Sequence, residues 1–135
     1  MSDARHALLT AIFTTLMADN DLDAVLSGGK VFDHVPRGAS HPFVSFGDFS
    51  SEVLDPDETP TERHRFDLLI HSRASGRTEA SDIATRIEAL LHNQALTLAG
   101  CRLIALRLRN TAVAASRDRR SYRVRMRFEA LTEKQ

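Results

Sequence analysis

The 135-residue sequence predicts an α+β fold: an antiparallel sheet of about four strands with two long helices packed on one face. Three observations predict it. Apolar residues recur at helical spacing near the start of the chain and again in its middle. Several stretches alternate apolar and polar residues with a period of two. The order of these segments is helix, strands, helix, strands, with Gly, Pro and Asp clusters between them. One domain, residues 1–135, accommodates all of them, with a mobile acidic loop expected at 54–61.

Ser2 or Asp3 is placed to cap the first helix. Leu8, Leu9, Ile12, Phe13, Leu16 and Met17 then form one apolar stripe, which stops near Asp19-Asn20-Asp21. A short helical turn from Leu22 to Leu26 precedes the break at Gly28-Gly29. Val31-Phe32 reads as a short extended piece, and Pro36, Gly38 and Pro42 frame a loop. Phe43 to Val53 is a strand with imperfect alternation. Asp55-Pro56-Asp57-Glu58-Thr59-Pro60 is too rich in proline and acid to continue a strand or hold a helix.

Glu62 to Ser72 alternates cleanly. His64, Phe66, Leu68 and Ile70 take one face; Arg63, Arg65, Asp67, Leu69 and His71 take the other. Ser75-Gly76 turns the chain. Ala80, Ile83, Ala84, Ile87, Leu90 and Leu91 stripe a helix from Thr78 to His92, with Asn93 as its stop. Cys101 to Ala115 and Ser121 to Thr132 are the last strands, joined by Arg117-Asp118-Arg119-Arg120 at a hairpin tip. In the final strand Tyr122, Val124, Met126, Phe128 and Ala130 face inward, while Arg123, Arg125, Arg127 and Glu129 face outward.

Composition excludes several classes. The single cysteine, Cys101, has no partner for an internal disulfide and rules out a four-cysteine zinc site. No secretory signal is visible at the Met-Ser-Asp start, which leads to the expectation of a cytoplasmic origin. No apolar run approaches the ~18–20 residues that cross a bilayer, so no membrane partner is expected. The net charge is zero but divided. Residues 1–60 carry −7 and residues 61–135 carry +7, a split that marks an interaction surface. A free nucleic-acid binder is disfavoured, because an acidic half opposes the basic one. Sixteen of the eighteen bases are Arg. That bias fits planar bidentate contacts at interfaces, and equally the codon usage of a GC-rich genome.

Catalytic constellations do not survive comparison with plainer readings. His6, His34, His41, His64, His71 and His92 include no i, i+4 pair of the helical zinc type, and His64 and His71 lie an odd number apart on one strand. No Gly-x-Ser-x-Gly elbow occurs. Gly28-Gly29-Lys30 lacks the first glycine and the flanking strand of a phosphate loop. Asp55 and Asp57 sit in a loop without apolar walls to raise a carboxyl pKa. Cys101 reads as a buried small residue. Neither a catalytic, metal-binding nor cofactor-binding residue is assigned.

The arginines remain. Arg107 and Arg109 are placed on one strand face, as are Arg123, Arg125 and Arg127, and pairing of these strands would merge them with Arg63 and Arg65. Directly opposed like charges destabilise a bare sheet, so acidic partners are expected from the same chain, a neighbouring subunit or a nucleic acid. The alternative is a solvated face diluted by Glu129 and Asp67. The candidate contact residues are therefore Arg63, Arg65, Arg107, Arg109, Arg119, Arg120, Arg123, Arg125 and Arg127, together with Asp55, Asp57 and Glu58 of the acidic loop.

The run Gly29-Lys30-Val31-Phe32-Asp33-His34-Val35-Pro36-Arg37-Gly38-Ala39, followed by His41-Pro42-Phe43-Val44, resembles a segment of the tail-terminator (tail-completion) proteins of long-tailed phages and gene transfer agents. So do His64 to Arg73, Gly76-Arg77-Thr78-Glu79-Ala80 leading to Ala89-Leu90-Leu91-His92, Leu96 to Leu106, and the closing Arg127 to Glu133. Together they span residues 7–133 in order. Phe32 stands where Tyr is common in that family, and the 54–61 loop is unusually acidic.

The resemblance implies a structural virion protein, not an enzyme. It implies a homo-oligomeric ring, a hexamer, at the head-proximal end of the tail tube, with the major tail tube protein and a head–tail connector or stopper as partners. DNA would pass through the lumen without sequence-specific binding. The alternatives are another head–tail junction protein and a small nucleic-acid-binding module. The module fits less well, because Tyr122 and Phe128 fall opposite the arginines and leave no stacking platform.

Overall fold

A computed structural model of the chain describes residues 3–54, 60–73, 78–118 and 120–134. Helices α1 (Asp3–Met17) and α2 (Asn20–Leu26) come first. Strands β1 (Val31–Phe32), β2 (Phe43–Val53) and β3 (Thr61–Ser72) follow, then α3 (Thr78–Leu91), β4 (Cys101–Ala115) and β5 (Tyr122–Lys134). The strands form one sheet in the order β1-β2-β3-β5-β4. β1 runs parallel to β2, and every other pair is antiparallel.

The α+β architecture expected from the sequence is present, but the count differs: five strands and three helices among the described residues, not four and two. Val31-Phe32 becomes a strand because it lies against β2, with the Val44 N–H donating to the Lys30 carbonyl at 2.9 Å. Leu22 to Leu26 becomes a seven-residue helix because Asp19 caps it. The Asp19 carboxylate accepts the Leu22 N–H at 2.8 Å, and the helix ends at Ser27 in the left-handed region. Ser2 and the turn at Ser75-Gly76 lie outside the described residues. So do residues 55–59 of the acidic loop, whose base is closed by the Leu54 N–H donating to the Thr61 carbonyl at 2.8 Å.

The core sits between one face of the sheet and the helices. Leu8, Ile12 and Leu16 of α1 bury fully, but Phe13 and Met17 of the expected stripe are exposed. The buried line Leu8, Ile12 and Leu16 follows i, i+4 steps, and Phe13 and Met17 lie on the flank of that line. Ile83, Ile87 and Leu91 of α3 bury, as expected of that helix. Across the sheet, Phe66 stacks on Phe128 at 5.3 Å and on Phe49 at 5.8 Å. Full burial of such side chains contributes ~1.5–3 kcal/mol each.

His64 clips three strands together beneath this stack. Its Nδ1 lies 2.7 Å from the Ser51 hydroxyl on β2, and its Nε2 lies 2.8 Å from the Thr132 hydroxyl on β5. A neutral imidazole donates to one hydroxyl and accepts from the other. Burial pushes the His64 pKa down, partly offset by the nearby Glu62. On the helical side, Arg86 of α3 makes a bidentate pair with Asp19 at 2.6 and 2.8 Å, tying α3 to the cap of α2. The hydrogen bond from Arg86 holds the Asp19 carboxyl below its ordinary range.

Two outcomes follow from these contacts. His64 is harder to protonate folded than unfolded, so its contribution to stability is fully present above its ordinary pKa of 6.5 and is lost as pH falls toward the lower folded value. The thermal midpoint should fall as pH is lowered from 7.5 to 5. His64→Ala should flatten that profile while costing about 1–3 kcal/mol for the stranded Thr132 hydroxyl. Asp19→Ala should cost about 1 kcal/mol through loss of the cap, and Asp19→Asn less, because the amide oxygen still caps; urea unfolding measures both.

Candidate interaction surface

The face of the sheet away from the helices collects the arginines. Cross-strand register places Arg63 of β3 opposite Glu52 and Leu131, Arg65 opposite Ser50 and Glu129, and Asp67 opposite Arg127. Further along, Leu69 meets Arg125 and His71 meets Arg123. Arg107 of β4 lies opposite Glu129. The merged face read from the sequence therefore exists for Arg63, Arg65, Arg107, Arg123, Arg125 and Arg127. A bulge between Leu108 and Asn110 leaves Arg109 without a cross-strand partner in β5, beside Asn110 opposite Arg127. Arg119 and the acidic trio Asp55, Asp57 and Glu58 lie outside the described residues.

The chain itself supplies acidic partners for half of this face. Arg127 makes a bidentate pair with Asp67 at 3.0 and 3.2 Å, and Asp67 is buried beneath it. Gly47 leaves the space for that pair, since a Cβ there would stand 3.0 Å from the Asp67 Cβ. Arg65 pairs with Glu129 at 3.2 Å, Arg63 with Glu52 at 3.2 Å, and Arg102 with Glu133 at 3.0 Å. Toward the hairpin the balance fails. Among the described residues, Arg107, Arg109, Arg117, Arg120, Arg123 and Arg125 make no ion pair. Asp118 is the sole carboxylate between residues 103 and 128, and the turn uses it: it accepts from the Ser116 hydroxyl and the Arg120 N–H.

His71 borders the unpaired group. Its ring stacks on Phe43 at 4.4 Å and its Nε2 lies 3.0 Å from the Ser45 hydroxyl. Burial, then the charge of Arg123, pushes its pKa down, so the imidazole stays neutral beside the arginines. The two Ser–His pairs are cross-strand contacts: His64 is fully buried with both ring nitrogens engaged.

The sequence suggests an exposed sheet edge able to pair with a neighbour but does not locate it. Among the described residues the edge of β4 is covered only at its start, where the Asn93 N–H donates to the Leu106 carbonyl at 2.8 Å and the Leu108 N–H donates to His92 Nδ1 at 2.9 Å. The left-handed Asn93, expected only as a helix stop, is what turns the chain onto that edge. A cleft of about 1320 Å³ opens between α1 and the 95–101 segment, lined mainly by Ala and Thr side chains. Cys101 borders it, its thiol pushed up in pKa by burial.

The profile of Tail completion protein gp17 matches residues 10–133. Among solved structures, a chain from the virion of the native gene transfer agent particle is 25% identical and superposes with a TM-score of 0.89, covering 98% of this chain and 99% of that one. No curated protein matches the chain significantly. With the family match spanning nearly the whole sequence, the chain belongs to the tail completion protein gp17 family.

Proposed function

We propose that this protein is a structural component of a phage-like particle that forms a hexameric ring at the head-proximal end of the tail tube. The ring ends tube polymerisation and offers a docking surface to the head connector, with DNA passing through the lumen without sequence-specific contact. The observation that carries this reading is the two-way correspondence with a gene transfer agent virion chain, in which almost nothing of either chain is left over. Membership of a tail completion family supports the same place in the particle.

The surface suits assembly. Half of the arginine-bearing face is neutralised within the chain, and the other half keeps Arg107, Arg123 and Arg125 without carboxylate partners among the described residues, with Arg117 and Arg120 on the adjoining hairpin tip. An interface between unlike surfaces, as a ring requires, is served by an acidic N-terminal half and a basic C-terminal half. Among the aromatics, Phe128 is fully buried on the helix side, which disfavours single-stranded nucleic acid as the partner of the arginines.

Electron microscopy of particles lacking this protein should show overlong, headless tails; tails of normal length would overturn the reading. Native mass spectrometry with purified tail tubes should show the protein bound at tube ends, whereas a connector or stopper would bind heads instead. Arg125→Glu should impair assembly while leaving the unfolding curve of the monomer unchanged, because Arg125 is exposed and makes no ion pair to lose.

A further inference from the structure

The two outer strands of the sheet are each half covered. β1 pairs with β2 only at Val44 and Ser45, and among the described residues no backbone hydrogen bond from outside the sheet reaches 46–53. At the other edge, residues 92–93 and the Thr97–Arg102 bridge cover β4 as far as Leu108, and among the described residues nothing bonds to its edge beyond that. The open part of β4, Asn110-Thr111-Ala112-Val113-Ala114-Ala115, is uncharged and largely exposed. Soluble proteins ordinarily protect such an edge with charge, proline or a covering segment.

The direction of the open main-chain groups follows from pairing. In an antiparallel strand, residues alternate between bonding inward and outward. Leu106 and Leu108 bond outward, to Asn93 and His92. The bulge at Leu108–Asn110 advances the alternation by one, which turns Thr111 and Val113 outward. On β2, Val44 bonds outward to Lys30, and the bulge between Phe46 and Phe49 turns Phe49, Ser51 and Val53 outward. Each edge thus carries a short ladder without a partner among the described residues.

We infer that the open edge of β4 in one copy pairs antiparallel with the open edge of β2 in the next copy, so that one sheet runs from subunit to subunit. The inference rests on the ring reading. The two edges are complementary. The β2 stretch holds Asp48, together with Glu52 already paired with Arg63, and no base, while the β4 stretch is flanked by Arg107, Arg109 and Arg117. Val53 and Val113 are 54% and 56% exposed, and both lie on the helix side of their strands, where pairing would bring them together. β2 and β4 run antiparallel within the sheet, so copies arranged around an axis meet in antiparallel pairing.

The open halves lie at opposite ends of the sheet. Val113 is level with Val124, Ile70 and Val44, whereas Val53 is level with Glu62, Thr132 and Leu103. Joining them staggers each copy by the distance from Val124 to Thr132, eight residues along β5. At ~3.3 Å per residue and ~4.8 Å per strand, that stagger over the four strands β2, β3, β5 and β4 is a strand tilt of roughly 54°, steeper than the 35–45° of closed barrels. The contact joins opposite edges of the same subunit, so it is heterologous and compatible with a closed ring.

Cysteine cross-linking of the full chain tests the pairing, with the buried Cys101 of the unmodified protein as the background control. Val53→Cys mixed with Val113→Cys should give crossed disulfide dimers under mild oxidation, and neither variant alone should do so. Self-linking of Val113→Cys would overturn the inference in favour of a symmetric edge contact. Val113→Pro removes an outward N–H without touching the β5 ladder. It should unfold at the same temperature as the parent and weaken self-association by roughly tenfold or more. Rings or tube caps that form normally with Val113→Pro would reject the edge pairing while leaving the proposed function intact. A parent protein that neither self-associates nor caps tubes would reject both.

Discussion

The registration of β2, β3 and β5 is the constraint on which the rest of the structure depends. Phe49, Phe66 and Phe128 stack across these strands, and His64 links Ser51 to Thr132 beside them. A slip of one residue would turn every side chain to the other face. It would bring Arg63, Arg65, Arg123, Arg125 and Arg127 under the helices and put Phe66 and Phe128 in water. Burying unpaired guanidinium groups costs far more than any alternative contact returns. Opposing chemistry on the two faces therefore holds one register, and that register decides where each charge stands.

Given that register, the charged face resolves into two regions. Where Asp67, Glu52, Glu129 and Glu133 fall opposite arginines, the chain neutralises itself, and the bulge at Phe46–Phe49 with Gly47 lets Asp67 and Arg127 close into a bidentate pair. Toward the β4–β5 hairpin, the one carboxylate is committed to shaping the turn. The surplus positive charge there is a consequence of where acids were placed, and it coincides with the stretch of β4 that no other segment covers. The surplus charge and the open backbone of β4 therefore occupy the same end of the sheet, and the open part of β2 lies at the other.

This coincidence suits a protein of the tail completion family. The ring proposed above would need a subunit whose surfaces are stable in isolation yet incomplete. The helices seal one side of the sheet, which keeps the subunit folded. The surplus arginines share no residue with the buried stack, whereas the open edge of β2 carries Phe49 of that stack.

The sequence by itself determined the α+β class, the period-two faces of β3 and β5, the extents of β2 and β4, and the stripe of α3. Those features follow from local periodicity, which each segment carries in its own residues. It also placed most arginines on one face. Tertiary structure alone decided the rest. Val31-Phe32 is a strand only because Val44 lies beside it, and two residues carry no period to read. The bulge that leaves Arg109 without a cross-strand partner depends on how β4 and β5 pair, and a count of two along one strand does not see it. Which arginines are neutralised was settled by pairings about sixty residues apart, such as Arg127 with Asp67 and Arg65 with Glu129. Which stretches of the sheet edges lie open was not legible in the sequence for a further reason: they are made of main-chain groups, which every residue carries and only the neighbouring strands leave free.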